Sequence, residues 1–450
     1  MKSLSVPGLW GNFRTKVVAR RFVRDVSVLM AANCVKAALN FVQGILVARW
    51  LGPELYGVAA LVMVYPGIMH TFFDARSSEA SVKYMTEFHS AGEDSKVLAM
   101  CKLGYVLDLI IASLSFLAVS VTASWAAQQI VGRPDAVGLI VISAAAFLPG
   151  ALVGSSSAVL TMLGRFSLVA WIEVIIMSIR VGLVLGLVFT GWQVTGIVWG
   201  NVLATTASGL IYGIIAWVLV SRTWGASPLT ANLRDLKGCR REIVRFLAYN
   251  ELSALVGIIP KQLDLVLLGY FRNPLEVGYY KLARNLASLV TYLVGPLQKV
   301  AYPKLIRMLG ANDTLLLRKK VRSLALHVGA PLGLTVLASV LIVPFVLVRA
   351  VGDTYAPAIL AAQLLIAGSA VWLTFFWLRP LYMAQGNIRQ WLKCNSVVAG
   401  LSLVAFLTII PVWGYVGLSA LQVGIQIFGH GMALTPLLRS VDGGHANRSF

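Results

Sequence analysis

From about residue 26 to 436 the chain is a succession of apolar runs, most of them twenty residues or longer, separated by short turns. A run of that length with few charges crosses the hydrocarbon core of a bilayer as a helix. In that core every backbone N–H and C=O must be satisfied internally, so only helices or a closed barrel can span it. The runs lack the apolar–polar alternation of barrel strands, which favours helices. Twelve spans are expected, near 26–48, 56–82, 98–122, 137–162, 168–190, 194–220, 246–271, 276–298, 323–348, 356–384, 388–410 and 414–436. The charged fraction agrees: 12% of 450 residues, about half that of a soluble domain. The expected class is an all-α integral membrane protein with about twelve transmembrane helices.

Charge sets the direction of threading. The net charge of +20 would point to nucleic acid in a soluble protein. Here the basic residues gather in alternate loops. With the N-terminus inside, 27 of the 38 Lys and Arg fall in inside segments. Only Arg49, Arg133, Arg272 and Arg349 fall in outside loops, as the positive-inside rule demands. Both termini are therefore expected in the cytoplasm, the protein in the inner membrane, and no nucleic-acid partner. Residues 1–25 read as a basic cytoplasmic segment before a retained first span, not a signal peptide. Cys34, Cys101, Cys239 and Cys394 form no C-x-x-C pair, and neither disulfides nor a metal site is inferred.

An internal repeat follows. Arg20-Arg21 precedes span one and Arg240-Arg241 precedes span seven. Gly52-Pro53-Glu54-Leu55-Tyr56-Gly57 joins spans one and two; Asn273-Pro274-Leu275-Glu276-Val277-Gly278 joins spans seven and eight. Leu163-Gly164 ends span four and Gln385-Gly386 ends span ten. Six spans per unit give both halves the same orientation, the parallel repeat of transporters with a site between the halves. The expected organisation is an N-terminal lobe at 26–220, a basic cytoplasmic linker at 221–245, a C-terminal lobe at 246–436 and a cytoplasmic tail at 437–450.

Ionisable residues within a membrane cost about 3 kcal/mol each at the centre, so each needs a reason. The basic ones are Lys36, Arg76, Arg180, Lys261, Lys281, Arg284 and Arg379; the acidic ones are Asp74, Glu79, Asp108, Glu173, Glu251 and Asp264. Arg76, Glu79 and Arg379 lie near span ends, where they can snorkel. Lys261 and Asp264, three apart, share a helical face and read either as a structural ion pair or as cavity lining. Lys281 and Arg284 give span eight a doubly positive face. Lys36 lies mid-span with no carboxylate at i±3 or i±4, which favours a functional role. His70 lies one turn from Asp74, read as a polar helix contact rather than a proton relay. Basic side chains lining a cavity attract an anion, and Arg suits phosphate. The candidate substrate-binding residues are Lys36, Arg76, Arg180, Lys261, Lys281 and Arg284. Asp74, Glu173 and Asp264 are candidates for coupling to H+ or Na+. Pro66, Pro149, Pro260 and Pro296 are expected to kink or break their helices.

No G-x-x-x-x-G-K-[ST], H-E-x-x-H or G-x-S-x-G constellation occurs, and the outside loops are too short for a catalytic domain. The expectation is a non-enzymatic carrier without catalytic residues, metal or cofactor.

The segment Ile45-Leu46-Val47-Ala48-Arg49-Trp50-Leu51-Gly52-Pro53-Glu54-Leu55-Tyr56-Gly57 resembles the signature of polysaccharide biosynthesis membrane proteins. These are flippases of lipid-linked oligosaccharides, related to multidrug and toxin extruders. Gln262 to Phe271, Val277-Gly278-Tyr279-Tyr280-Lys281-Leu282-Ala283 and Tyr302-Pro303-Lys304-Leu305 are similar to their span-seven and span-eight motifs. The resemblance implies two six-helix lobes in a V and an undecaprenyl-diphosphate-linked glycan moved from the inner to the outer leaflet. It further implies contact with membrane lipids and with polysaccharide polymerase machinery, and a cationic cavity mapping by position onto Lys36, Lys261, Lys281 and Arg284. Three alternatives stand beside it. A major-facilitator carrier is disfavoured by the loop Glu87 to Lys96, which lacks that family's basic motif. A multidrug extruder of the same superfamily would want an acidic cavity. A membrane glycosyltransferase or ligase would want larger outside loops.

Overall fold

The computed structural model describes residues 9–74, 76–225, 227–258, 262–309, 323–385 and 387–442. Among them there are helices and turns and no strand. The first half comprises α1 (Leu9–Phe73), α2 (Ser77–Ser90), α3 (Asp94–Ala126), α4 (Val137–Ala145), α5 (Phe147–Met162), α6 (Phe166–Leu187) and α7 (Gln193–Trp224). The second comprises α8 (Arg240–Ile258), α9 (Leu263–Phe271), α10 (Pro274–Leu309), α11 (Ala330–Ser339), α12 (Val343–Val351), α13 (Ala358–Thr374), α14 (Leu378–Ala384) and α15 (Ile388–Asp442).

Three continuous apolar stretches are too long for one crossing: Ser27–Phe73 with 47 residues, Phe166–Trp224 with 59 and Arg389–Thr435 with 47. At about 1.5 Å per residue, 47 helical residues reach about 70 Å, twice a hydrocarbon core of about 30 Å. Each stretch turns at a glycine in the left-handed region: Gly52 at φ 74°, Gly191 at φ 91° and Gly414 at φ 56°. Each is thus two spans. The α11–α12 pair bends by 54° across a break of no more than four residues. Spans seven (α8–α9) and eight (α10) are the more polar ones, since they carry Glu251, Asp264, Lys281 and Arg284. The result is an all-α membrane fold of about twelve spans. Its lipid-facing surface is apolar, with Val121, Leu341, Phe345 and Val412 exposed. Trp50, Trp125, Trp192 and Trp413, exposed near the Gly52 end, form the aromatic belt usual at a membrane interface.

The expected breaks at Pro66 and Pro296 are corrected. Helix α1 continues through Pro66 and α10 through Pro296; Pro260 lies outside the described residues. Span two breaks at Asp74–Arg76, away from its proline; span four breaks at Ala146, just before Pro149, and span ten between Thr374 and Leu378, just before Pro380, each proline standing in the first turn of the helix that follows. Where a helix does run on through a proline, as at Pro66 and Pro296, neighbouring groups re-satisfy the freed carbonyl.

Burial shows how the halves meet. Near the Gly52 end a single buried cluster unites both: Val47, Ala48, Tyr56, Leu61, Ile140 and Val198 from the first with Leu268, Val277, Ala283, Tyr355 and Phe406 from the second. At the opposite end there are two separate clusters. One is built on Tyr84, Met85, Met100, Leu160 and Tyr212, the other on Val294, Phe376, Trp377 and Tyr382. Two lobes joined at one end and separately packed at the other make a V. Leu236 and Ile243 of the inter-lobe segment belong to the N-terminal cluster, and Lys102 Nζ donates to Ala231 O at 2.9 Å, so the linker is fastened to the first lobe.

The repeated loops themselves form the junction. A Cβ on Gly57 would lie 1.7 Å from the Pro274 carbonyl oxygen, and one on Gly278 would lie 1.8 Å from the Pro53 carbonyl oxygen. Only glycine permits so close an approach of backbone to backbone. Asn285 Nδ2 donates to Tyr56 Oη at 2.6 Å and Tyr355 Oη to Ala48 O at 3.1 Å. Both hydrogen bonds cross between the lobes.

Candidate functional site

The intramembrane charges fall into three clusters. The first lies in the joined core. Asp264, in the first turn of α9 and 1% exposed, accepts from Tyr280 Oη at 2.7 Å, Arg284 Nη1 at 2.9 Å and Gln422 Nε2 at 3.3 Å. Tyr280 and Arg284 are one turn apart on α10, so one helical face delivers both. Lys281 stands beside Arg284 and Asp264 and, among the described residues, makes no ion pair. Among the described residues the cluster therefore brings Arg284 and Lys281 to the carboxylate of Asp264.

The second cluster lies between α1 and α6. Lys36 pairs with Glu173, and Arg180 Nη2 donates to Asn40 Oδ1 at 2.9 Å. Lys36 and Asn40 are one turn apart on α1; Glu173 and Arg180 are two turns apart on α6, so two facing stripes meet. The Lys36 and Glu173 side chains are 26% and 39% exposed. Arg180 there meets a neutral partner.

The third cluster sits at the break in span two. Arg76, at φ 47°, is a non-glycine residue in the left-handed region, a strain of about 1–3 kcal/mol. Its backbone N–H donates to Asp74 Oδ1 at 3.0 Å, and its Nη1 to Glu79 Oε1 at 2.7 Å.

Several sequence expectations are thereby corrected. Lys36 is not an isolated cation, because Glu173, 137 residues away, supplies a partner that local spacing cannot show. Asp264 is committed to Arg284, Tyr280 and Gln422; Lys261 lies outside the described residues. The doubly positive face of Lys281 and Arg284 exists but is half-neutralised. Arg76 is held by Glu79 as an i,i+3 pair. His70 bonds Ser115 Oγ at 2.9 Å through Nδ1 and stacks on Phe147 at 4.5 Å, rather than bonding Asp74. Sequence reasoning missed Asn40, Tyr280 and Gln422. The first two share a face with Lys36 and Arg284 and were legible by spacing; Gln422, on the last span, carried no local signal.

Among solved structures, this architecture is shared with membrane transporters. The lipid II flippase MurJ in an inward closed conformation superposes with a TM-score of 0.72 at 12% identity, covering 91% of this chain and 87% of its own. An inward-facing multidrug resistance MATE family transporter of the MOP superfamily gives 0.69 at 15% identity, covering 93% and 99%. A mutant of the Vibrio cholerae MATE transporter VcmN gives 0.60 at 16% identity, covering 95% and 98%. The fold is that of the MOP-type flippases and transporters. Residues 22–309 match the family described as polysaccharide biosynthesis protein, and this chain belongs to that family. No curated protein matches.

Proposed function

We propose that this protein flips an undecaprenyl-diphosphate-linked oligosaccharide from the cytoplasmic to the outer leaflet of the inner membrane by alternating access. The observation that supports this reading is the positive charge in the joined core, where Arg284 pairs with Asp264 and Lys281 stands beside them without an ion pair among the described residues. A diphosphate offers the charge-assisted acceptors that an ammonium and a guanidinium bind. Arg180, which among the described residues donates to neutral Asn40, provides a second contact. An extruder of cationic drugs has no use for such a cluster.

With the basic segments 221–245 and 299–322 inside, both termini are cytoplasmic and the separately packed ends of the lobes face the cytoplasm, where the glycan-lipid is made. An inside-negative potential favours outward movement of an anion by about 2.3 kcal/mol per charge per 100 mV, so no nucleotide is required. Removal of the product by a polymerase on the outer side adds to the drive.

The test is made in cells lacking the protein. They are expected to accumulate a polyprenol-diphosphate oligosaccharide on the cytoplasmic leaflet, identified by mass spectrometry and located with an impermeant sugar-modifying reagent. Lys281→Ala should reproduce the defect at normal protein level. Delivery to the outer leaflet at the normal rate, with no second carrier present, would reject the flippase and leave the extruder in front.

A further inference from the structure

The segment that joins the lobes has two unlike sides. Its inner side is packed on the first lobe. Leu236 and Ile243 are buried in the N-terminal cluster, and Phe246 of α8 meets Tyr84 of α2 edge-on at 5.7 Å. Lys83 Nζ stands 4.6 Å from the centre of each ring. Trp224 Nε1 donates to Asp94 Oδ1 at 2.9 Å, and Lys102 Nζ holds the Ala231 carbonyl. The Asn232 side chain accepts from the Arg234 N–H at 3.0 Å, opening a short turn that sends Leu236 inward.

The outer side is cationic. Residues 221–245 carry six Lys and Arg against Asp235 and Glu242. Arg222, Arg234, Lys237, Arg240 and Arg241 are all exposed. Two apolar side chains, Leu233 and Val244, are exposed among them. A charge bias that served threading alone would require neither a fastened backbone nor apolar side chains turned outward. Cations interleaved with exposed apolar side chains suit a segment that lies in a membrane interface.

The depth agrees. Trp171 on α6 and Trp217 on α7 are exposed at this end of the lobe, and tryptophan gathers at the edge of the hydrocarbon core. Helix α7 runs on from Trp217 to Trp224, about 10 Å at about 1.5 Å per residue. The headgroup layer outside the core is about 5–8 Å deep. The linker thus begins at the outer edge of that layer, within a screening length of about 8 Å of its phosphates.

We infer that the outer side of residues 222–244 is a docking surface for anionic phospholipids of the adjoining leaflet. Arg222, Arg234, Lys237, Arg240 and Arg241 engage headgroup phosphates, while Leu233 and Val244 enter the interface between them. Phosphodiester oxygens accept charge-assisted hydrogen bonds from guanidinium and ammonium groups. A zwitterionic headgroup carries its own cation beside the same phosphate, so the surface selects by net charge. The inference uses only the linker's outer side and its depth, and does not depend on what the protein transports.

The purified protein in phosphatidylcholine nanodiscs provides the test, with spin-labelled phosphatidylglycerol and phosphatidylcholine as probes. Electron spin resonance reads the fraction of each lipid immobilised at the protein. Wild type should hold phosphatidylglycerol at least threefold in preference. Sodium chloride at about 1 M, where the screening length is about 3 Å, should remove most of that preference. Inorganic phosphate should do no more than chloride at equal ionic strength. Arg234→Gln combined with Lys237→Gln, Arg240→Gln and Arg241→Gln should lower the preference at least twofold at unchanged thermal stability. Arg49→Gln with Arg349→Gln, exposed at the opposite end, should not. A second reading uses Leu233→Cys in a variant whose native cysteines are replaced. A bimane on that thiol should be quenched by headgroup-nitroxide lipid. No preference in wild type, a full preference in the fourfold variant, or an equal loss in the Arg49 and Arg349 variant overturns the inference. Displacement by phosphate beyond chloride also does so, since the ligand would then be a free anion. So does an unquenched bimane, which would place the linker clear of the membrane however the fourfold variant folds.

Discussion

The junction between the lobes depends on two absent methyl groups. In Gly57→Ala the new Cβ would sit 1.7 Å from the Pro274 carbonyl oxygen, where ordinary contact begins at 3.4 Å. The obstacle is backbone on both sides, so no rotamer relieves it and the loops must part. Overpacking a close-packed site costs about 1–3 kcal/mol, and a backbone–backbone clash belongs at the upper end. A change of about 3 kcal/mol moves the balance between joined and parted lobes on the order of a hundredfold. Gly278→Ala, facing the Pro53 carbonyl at 1.8 Å, should act alike. The reporter is Ala283→Cys, fully buried in the shared core, in a variant whose four native cysteines are replaced. Thiol labelling of this site should accelerate at least tenfold in Gly57→Ala, with transport lost and an exposed Ser178→Cys control unchanged. If labelling stays slow and transport normal, the glycine contacts do not hold the lobes together and the reasoning fails.

The remaining expectations are shorter. Asp264→Asn leaves Arg284 buried against a neutral partner and should cost about 3–5 kcal/mol, seen as loss of protein from the membrane; Asp264→Leu with Arg284→Met should regain the protein level without transport. Lys36→Ala should be the milder change, about 1 kcal/mol, because its pair with Glu173 is partly exposed; Lys36→Met with Glu173→Gln should match wild type in thermal stability, and a larger loss would show that the pair contributes more than charge balance. Tyr56→Phe removes the acceptor for Asn285 and should weaken the junction by about 1 kcal/mol, read as an intermediate labelling rate at Ala283→Cys. For orientation, Thr190→Cys should react with an impermeant thiol reagent in intact cells and Arg234→Cys should not; the opposite pattern would invert the topology.

Much of the fold was legible because a bilayer admits few solutions. Apolar run length marked most spans, and charge contrast separated the loops into two sets. The turns at Gly52 and Gly414 fell where apolar runs ended. The break at Asp74–Arg76 was not legible, since Arg76 adopts its strained conformation only with Asp74 and Glu79 to hold it. The site divides in the same way. Tyr280 and Arg284 share a helical face that spacing reveals, whereas the partners of Lys36 and Asp264 come from distant spans. Local spacing offered Lys261 to Asp264; Lys261 lies outside the described residues, and among these Asp264 is paired with Arg284.

The paired contacts of Gly57 with Pro274 and Gly278 with Pro53 have a consequence for the history of the chain. Gly57 and Gly278 are 221 residues apart, as are Pro53 and Pro274, so the same contact is made twice about a pseudo-twofold axis. That is the geometry of an isologous dimer interface, here enclosed within one polypeptide. In a half-length ancestor that paired with itself, one glycine would have made both contacts, and any substitution there would have struck twice. Two copies within one chain are free of that constraint. The Lys281–Arg284 face could then arise on one lobe while its counterpart, Ala60 and Met63, stayed apolar. An asymmetric charge on a symmetric closure is what a single chain can hold and a homodimer cannot.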